Sequence, residues 1–312
     1  MRGYLIVGAL AVSAVLLGCN GSVGNPPATR SAAGADGGAV VPDRRQGEQL
    51  RVDPDSGRPK KIYVTIIGSS SETSGVSTFK ANGTETTPTI TGLDVPAGVA
   101  VDANGKIYVA SHGTNTVTTY TPKGTPTQPT IAFLNGPLGV AVDANGKIYV
   151  ANLGTGTSSF NGTTVTTYTP DGKPSKPTIK GLQAPCGVAV DAAGNIYVTS
   201  YTDGVLATFT KDGSPSTPTI AGLKAPCGVA VDPSGKIYVV NSGNGTLTTY
   251  TPAGKSTKPT ITGLDEPFGV ALDAAGNIYI TGDGGVTTYK KDGKPTTPTI
   301  GGFDDSVGIA VH

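Results

Sequence analysis

Short apolar words of β-branched and aromatic residues alternate with polar, glycine-rich turns along most of this chain. The clearest word is Ile-Tyr-Val or Ile-Tyr-Ile, and its six copies begin at Ile62, Ile107, Ile148, Ile196, Ile237 and Ile278. The intervals between the copies are 45, 41, 48, 41 and 41 residues. A short β-rich run between turn signals predicts a strand, and its recurrence at a nearly fixed period predicts a repeat protein.

Three other words accompany each copy, and we number all four by their order within a repeat, with Ile-Tyr-Val second. The first word is Gly-Val-Ala-Val or a variant, beginning at Gly98, Gly139, Gly187, Gly228, Gly269 and Gly308. The third resembles Val-Thr-Thr-Tyr and begins at Val76, Val117, Val165, Leu206, Leu247 and Val286. The fourth, Pro-Thr-Ile, begins at Pro88, Pro129, Pro177, Pro218, Pro259 and Pro298. Four short strands per unit of about 41 residues predict an all-β fold, a six-bladed β-propeller with four antiparallel strands per blade.

Turn residues separate the words. The first and second words are joined by segments such as Asp-Ala-Asn-Gly at residues 102–105 and Asp-Pro-Ser-Gly at residues 232–235. An Asp side chain accepts hydrogen bonds from backbone N–H groups two residues on, and Gly tolerates positive φ. Each of these segments therefore predicts a tight hairpin.

The two ends of the repeat region complement each other. The region opens on a second word, Lys61–Val64, and closes on an unaccompanied first word, Gly308–Val311. We therefore expect the C-terminal strand to complete the N-terminal blade, which removes two open sheet edges.

The N-terminal residues predict export and lipid anchoring. One Arg precedes the apolar run Leu5–Gly18, which has signal-peptide length and ends directly before Cys19 in a lipobox-like sequence. We predict a lipoprotein signal peptide at residues 1–18, a flexible tether at 19–59 that begins at a lipidated Cys19, and the propeller at 60–312. An ordinary secretory signal and an uncleaved anchor remain the alternatives.

The repeat Pro-x-Gly-Val-Ala-Val-Asp, followed by x-x-Gly-x-Ile-Tyr-Val, resembles the NHL-repeat propellers and the related virginiamycin B lyase propellers. The resemblance spans about 250 residues and implies that the first word lies nearest the central axis and the fourth outermost. It also implies a top face, formed by the loops between the second and third words and by those leading into the first. Enzymes with related propellers use a divalent metal on this face.

Candidate binding residues come from the predicted top face, where the loops at 65–75 and 151–164 are longer than their equivalents. The candidates in the loops after the second word are Glu72, His112, Asn152, Tyr201, Asp203, Asn241 and Asp283. Oxygen ligands for calcium or magnesium would come from Asp94, Asp265, Asp304 and Asp305. The chain has only two His, and His112 and His312 are expected on opposite faces, so no His pair is predicted. We expect no cofactor otherwise.

Six equivalent positions, each preceding the Gly of a first word, predict a ring around the axis: Ala97, Leu138, Cys186, Cys227, Phe268 and Val307. This ring is apolar apart from two thiols, and plugging the channel is its expected role. Cys186 and Cys227 occupy neighbouring blades of an exported protein, so a disulfide between them is one alternative and two free thiols are the other.

Composition narrows the functional classes. The 23 Lys and Arg residues nearly cancel the 22 Asp and Glu residues, which argues against nucleic-acid binding. No Walker loop, GxSxG elbow, HExxH or CxxC motif is present. The leading hypothesis is a monomeric, lipid-anchored module on the periplasmic side or the cell surface that binds a protein, peptide or glycan without catalysis. A metal-dependent lyase or lactonase and a purely structural envelope protein are the alternatives.

Overall fold

The structure is a computed structural model that describes residues 61–155 and 162–312, apart from the side chain of Asp304. The predicted signal peptide, Cys19 and the tether at 19–59 lie outside the described residues. Part of the extended loop at 151–164 lies outside them too.

The described residues form 22 β-strands and one short 3₁₀ turn, Ser242–Asn244. The strands of the N-terminal unit are β1 (Ile62–Ile67), β2 (Gly75–Phe79) and β3 (Glu85–Thr91). Units two and three comprise β4 (Pro96–Val101), β5 (Ile107–Ser111), β6 (Thr116–Tyr120), β7 (Pro126–Ile131), β8 (Pro137–Val142), β9 (Ile148–Asn152), β10 (Thr164–Tyr168) and β11 (Pro174–Lys180). Units four and five comprise β12 (Pro185–Val190), β13 (Ile196–Ser200), β14 (Val205–Phe209), β15 (Pro215–Ile220), β16 (Pro226–Val231), β17 (Ile237–Asn241), β18 (Thr246–Tyr250) and β19 (Ser256–Thr262). The last strands are β20 (Val270–Leu272), β21 (Ile278–Tyr289) and β22 (Pro295–Val311).

Units two to five are separate four-stranded antiparallel sheets, while the first and last units share one six-stranded sheet. They share it because β22 continues from the outer position of unit six into the inner position of unit one. In unit one, β22 pairs with β1 in a register that places Ile62 opposite Val311 and Tyr63 opposite Ala310. The C-terminal strand therefore completes the N-terminal sheet, as the chain ends predicted.

The innermost strands contact one another in a closed cycle around the axis. The Gly of each first word sits so close to the next strand that a Cβ on it would overlap a carbonyl oxygen. A Cβ at Gly98 would lie 2.3 Å from the Leu138 oxygen, and one at Gly308 would lie 2.2 Å from the Ala97 oxygen. The recurring Gly is therefore required by the approach of neighbouring units, and the contact from unit one to unit two closes the ring.

Apolar side chains fill the space between units. One buried cluster surrounds the axis, and six others each combine residues of two neighbouring units. A typical pair is Val150 of β9 with Val117 of β6, which meet Val140 at the same interface. The fold is thus an all-β propeller of repeated four-stranded sheets, held by face-to-face packing. No helix in the part of the chain described is long and apolar enough to cross a membrane.

The bottom face, which carries the hairpins between the first and second words and between the third and fourth, is regular. Asp102 accepts hydrogen bonds from the Asn104 N–H (2.9 Å), the Lys106 N–H (3.0 Å) and the Tyr108 hydroxyl (3.2 Å). The equivalent tyrosine–aspartate bond is present in five units and measures 3.0–3.3 Å. The Asp-x-x-Gly segments therefore form the predicted hairpins, and they also anchor the Tyr of the second word.

Candidate binding face

The top face is held together by main-chain hydrogen bonds between two sets of loops. The His112 N–H donates to the Val95 oxygen (2.9 Å), and the Tyr201 N–H donates to the Ala184 oxygen (3.0 Å). Residues directly after the second word thereby lie beside the loop leading into the first word of the same unit. The two loop families meet around the axis, as the resemblance implied.

The channel is narrow and plugged. Its cavity of about 90 Å³ is lined by the ring residue, the Gly and the Val or Ile of all six first words. The six ring side chains are at most 4% exposed, and they join Ile67, Leu153 and Ala184 in the axial cluster. The side chains that line the channel are apolar and supply no group for acid–base chemistry.

Cys186 and Cys227 are joined by a disulfide within this ring, with a Cα–Cα distance of 5.0 Å. Of the two alternatives, the structure has the disulfide, because the tight approach of the inner strands at Gly187 brings the two Cα atoms within disulfide range. The bond links units four and five, so it reinforces the plug.

His112 is half-buried and does not face an acidic cluster. Its Nε2 lies 3.2 Å from the Gly154 oxygen of the next unit. Burial lowers the pKa of its imidazole, against smaller opposing effects of the Gly154 oxygen and of Asp94. His112 therefore bridges two units through a main-chain oxygen and acts as a spacer between them. The other histidine, His312, lies on the bottom face beside Lys61.

Two of the amide candidates point into the sheet and not toward solvent. Asn152 and Asn241 are each 2% exposed, and their Nδ2 groups donate to Thr166 (3.1 Å) and Thr248 (3.0 Å) on the neighbouring strand. The sequence could not reveal this, because both residues end their strands and alternation does not fix the direction of a terminal side chain.

Four other candidates lie at the rim with differing surroundings. Asp203 is exposed, but its Oδ2 accepts hydrogen bonds from the Ser200 hydroxyl (2.8 Å) and the Gln183 N–H (3.2 Å). Tyr201 is half-buried against the axial cluster. Glu72 and Asp283 are exposed to solvent.

Those predicted metal ligands whose side chains the structure describes do not converge on one site. Within residues 61–155 and 162–312, no three His, Cys, Asp or Glu side chains are grouped so that they could hold a metal ion. Asp94 lies beside Gly113, whereas Asp265 is next to Asp283 in unit six, where a cavity of about 170 Å³ opens. Asp305 is the register partner of Asp283, and the Asp304 side chain is outside the description.

Among the residues that the structure describes, two buried side-chain polar atoms lack a hydrogen-bond partner, and both lie at the top of units two and three. They are the Ser111 hydroxyl and the Asn152 Oδ1 atom. Equivalent groups elsewhere are satisfied: the Ser200 hydroxyl donates to the Gln183 oxygen (2.6 Å), and Asn241 Oδ1 accepts from the Lys224 N–H (3.3 Å). Units two and three therefore depart from the pattern of their neighbours, and each orphan atom requires an ordered water or another polar group.

Phe133 is the most unusual residue of this face, and our sequence reasoning missed it. It follows β7 with a φ of 61° and its side chain is 102% exposed. The other five units place Gly at this position, with φ between 72° and 95°: Gly92, Gly181, Gly222, Gly263 and Gly302. A Cβ at any of these five would contact nothing within 4 Å. The signal in the sequence is the replacement of the recurring Gly-Leu or Gly-Phe by Phe133-Leu134.

Neither a protein-family model nor a curated protein matches the chain. Solved structures do match it. A chain of a nidogen–laminin complex is 20% identical with a TM-score of 0.66, covering 80% of this chain and 97% of that one. A streptogramin B lyase is 16% identical (TM-score 0.59; 81% and 87% covered), and a gluconolactonase of Xanthomonas campestris is 17% identical (TM-score 0.58; 79% and 87% covered).

These neighbours are β-propellers of the type that the repeat words resemble. At such identities the likeness establishes the fold alone, and the neighbours themselves range from a protein-binding assembly to a lyase and a lactonase.

Proposed function

We propose that this chain is a non-enzymatic, lipid-anchored module of the cell envelope that binds a protein partner through the top of units two and three. The observation that carries the proposal is Phe133. A fully exposed Phe gains nothing from folding, and a left-handed φ costs a non-Gly residue about 1 kcal/mol. Five equivalent positions avoid both costs by using Gly, so the benefit of Phe133 has to arise when something binds.

The surroundings of Phe133 suit a protein interface. Residues 112–122 and 124–142 contain no Lys, Arg, Asp or Glu, so the chain on either side of Phe133 is uncharged, and Asp94 beside Gly113 is an acidic group at the top of unit two. Interface centres are depleted in charged residues and enriched in aromatic ones, and a few aromatic anchors supply most of the binding energy. Asn115 also braces this turn, because its Oδ1 accepts from the Gly136 N–H (2.8 Å) and its carbonyl from the Leu134 N–H (3.1 Å). The phenyl ring of Phe133 is thereby presented on a hydrogen-bonded turn.

Site-specific photocrosslinking in the native host tests this proposal. The photoreactive analogue p-benzoylphenylalanine at position 133 should yield a protease-sensitive adduct of discrete mass. The same analogue at Gly222, the equivalent open position of unit five, is the matched control and should yield none. Adducts of equal yield at both positions, or an adduct at 133 that proteases leave intact, would contradict a protein-binding site at Phe133.

A further inference from the structure

The overall charge balance conceals a strong separation of charge between the two faces. The top face carries eight acidic residues and two lysines: Glu72, Asp94, Asp203, Asp265, Glu266, Asp283, Asp304 and Asp305, with Lys180 and Lys224. The bottom face carries twelve lysines: Lys61, Lys80, Lys106, Lys123, Lys147, Lys173, Lys211, Lys236, Lys255, Lys290, Lys291 and Lys294. Its hairpins also contain eight aspartates. The bottom is therefore net positive and the top net negative.

The eight bottom aspartates differ in their surroundings. Asp171, Asp212 and Asp292 are exposed, and Asp171 and Asp292 pair with Lys173 (2.9 Å) and Lys294 (3.6 Å), whereas the other five are turned inward. Glu85 adds a ninth acidic residue to this face.

The five inward aspartates use their carboxylates to bind backbone N–H groups and the Tyr hydroxyl of the second word, as Asp232 does with Lys236 N–H (3.0 Å) and Tyr238 (3.3 Å). The lysines lie outside this layer. Lys106, Lys147 and Lys236 cross the Tyr rings 5.3–5.7 Å from the centroids, and Lys123, Lys255 and Lys291 project from hairpin tips into solvent.

The chain outside the described residues joins the fold on this same face. Lys61 pairs with His312 at the bottom of unit one through two main-chain hydrogen bonds of 3.0 Å. Sixty residues precede it, beginning with the apolar run Leu5–Gly18 and ending with Arg58 and Lys60. The N-terminal segment therefore joins the propeller on its lysine-rich side.

We propose that the bottom face docks on the anionic headgroups of a phospholipid surface. The exposed lysines recur at the bottom of successive units, and each lysine near an anionic membrane adds attraction that salt screens. Such docking would leave the acidic top and Phe133 pointing away from the membrane. The docking concerns the opposite face from the partner site and does not depend on it.

Vesicle co-sedimentation of the full chain tests the docking. Vesicles of phosphatidylcholine with 30% phosphatidylglycerol are compared with pure phosphatidylcholine, which measures any contribution of the apolar N-terminal run. The double variant Lys123→Glu/Lys255→Glu is compared with Lys180→Glu/Lys224→Glu. All four lysines are exposed and both variants change the net charge equally, but the first pair is at the bottom and the second at the top.

We expect tighter binding to the anionic vesicles than to pure phosphatidylcholine, a loss of roughly tenfold or more of this difference in the bottom variant, and little change in the top variant. Raising the salt to about 0.5 M should release the protein. Equal binding to both kinds of vesicle, equal effects of the two double variants, or tighter binding to a DNA duplex or a sulfated polysaccharide than to the anionic vesicles would overturn the proposal.

Discussion

The bottom and top faces of the same ring follow different rules. On the bottom, five units repeat one arrangement of Asp, Gly and Tyr with hydrogen bonds that differ by only 0.3 Å. On the top, the residue five positions after the first Ile of the second word is different in all six units. It ends β1, follows β5, β9, β13 and β17 directly, and is in order Ile67, His112, Leu153, Tyr201, Ser242 and Asp283. Regularity on one face secures the fold, and this leaves the other face free to vary with function.

Removing the closing strand should have the largest effect, because both faces depend on the ring. Deletion of residues 307–312 takes away the ring residue Val307 and the pairing of β22 with Ile62, Tyr63 and Val64. We expect the cooperative thermal transition to disappear or to fall by more than about 15 °C. Calorimetry of the full chain and of the deletion variant measures the transition temperature. An unchanged transition would show that the ring does not need this closure.

A matched pair of substitutions in unit six should separate the faces. Asp273, on the bottom, accepts from the Ala275 N–H (3.0 Å), the Asn277 N–H (2.8 Å) and the Tyr279 hydroxyl (3.0 Å). Asp273→Ala should cost about 2–3 kcal/mol in the free energy of unfolding, because three donors lose a charged acceptor. Asp283→Ala, at an exposed top position, should change it by less than about 0.5 kcal/mol. Urea denaturation distinguishes them, and similar losses would erase the proposed difference between the faces.

Alkaline pH should also act on the bottom face. Burial, and secondarily the neighbouring Asp, raises the pKa of Tyr149, Tyr197 and Tyr238 to about 12, above the ordinary value of 10.0. The folded state keeps protons that the unfolded chain gives up, so stability is fully present below pH 10 and falls as the pH rises through 12. Between pH 10 and 12, the urea denaturation midpoint should fall less in the double variant Tyr149→Phe/Tyr238→Phe than in the parent chain. A midpoint that stays flat up to pH 12 in the parent chain would be inconsistent with these shifts.

The sequence was most informative where structure depends on local residues. The four words, the Asp-x-x-Gly hairpins and the closure by Gly308–Val311 are all matters of neighbouring residues or of chain order, and the structure has them as predicted. Distances between residues on different strands were harder to predict from the sequence. The approach of Cys186 to Cys227 depends on the packing of inner strands, and the inward direction of Asn152 and Asn241 depends on contacts with the next strand.

Phe133 shows a second limit of prediction from the sequence. Its departure from the repeat was visible in the sequence, yet a Phe after a strand suggests a core residue, and only its full exposure in the structure separates it from the buried Phe79 and Phe268. A residue that folding alone does not explain is found by comparing equivalent positions in three dimensions. The same comparison identified the orphan atoms of Ser111 and Asn152.

The most direct test of the account is the substitution Phe133→Gly, which restores the residue found in the other five units. Relief of the left-handed φ should raise the free energy of unfolding by about 0.5–1 kcal/mol and the melting temperature by roughly 1–3 °C. Partner capture from the native envelope should fall at least about tenfold in the same variant. A more stable protein that binds its partner less well is the predicted result, and a variant that is destabilised or keeps its partner unchanged would contradict the assignment of Phe133 as a binding anchor.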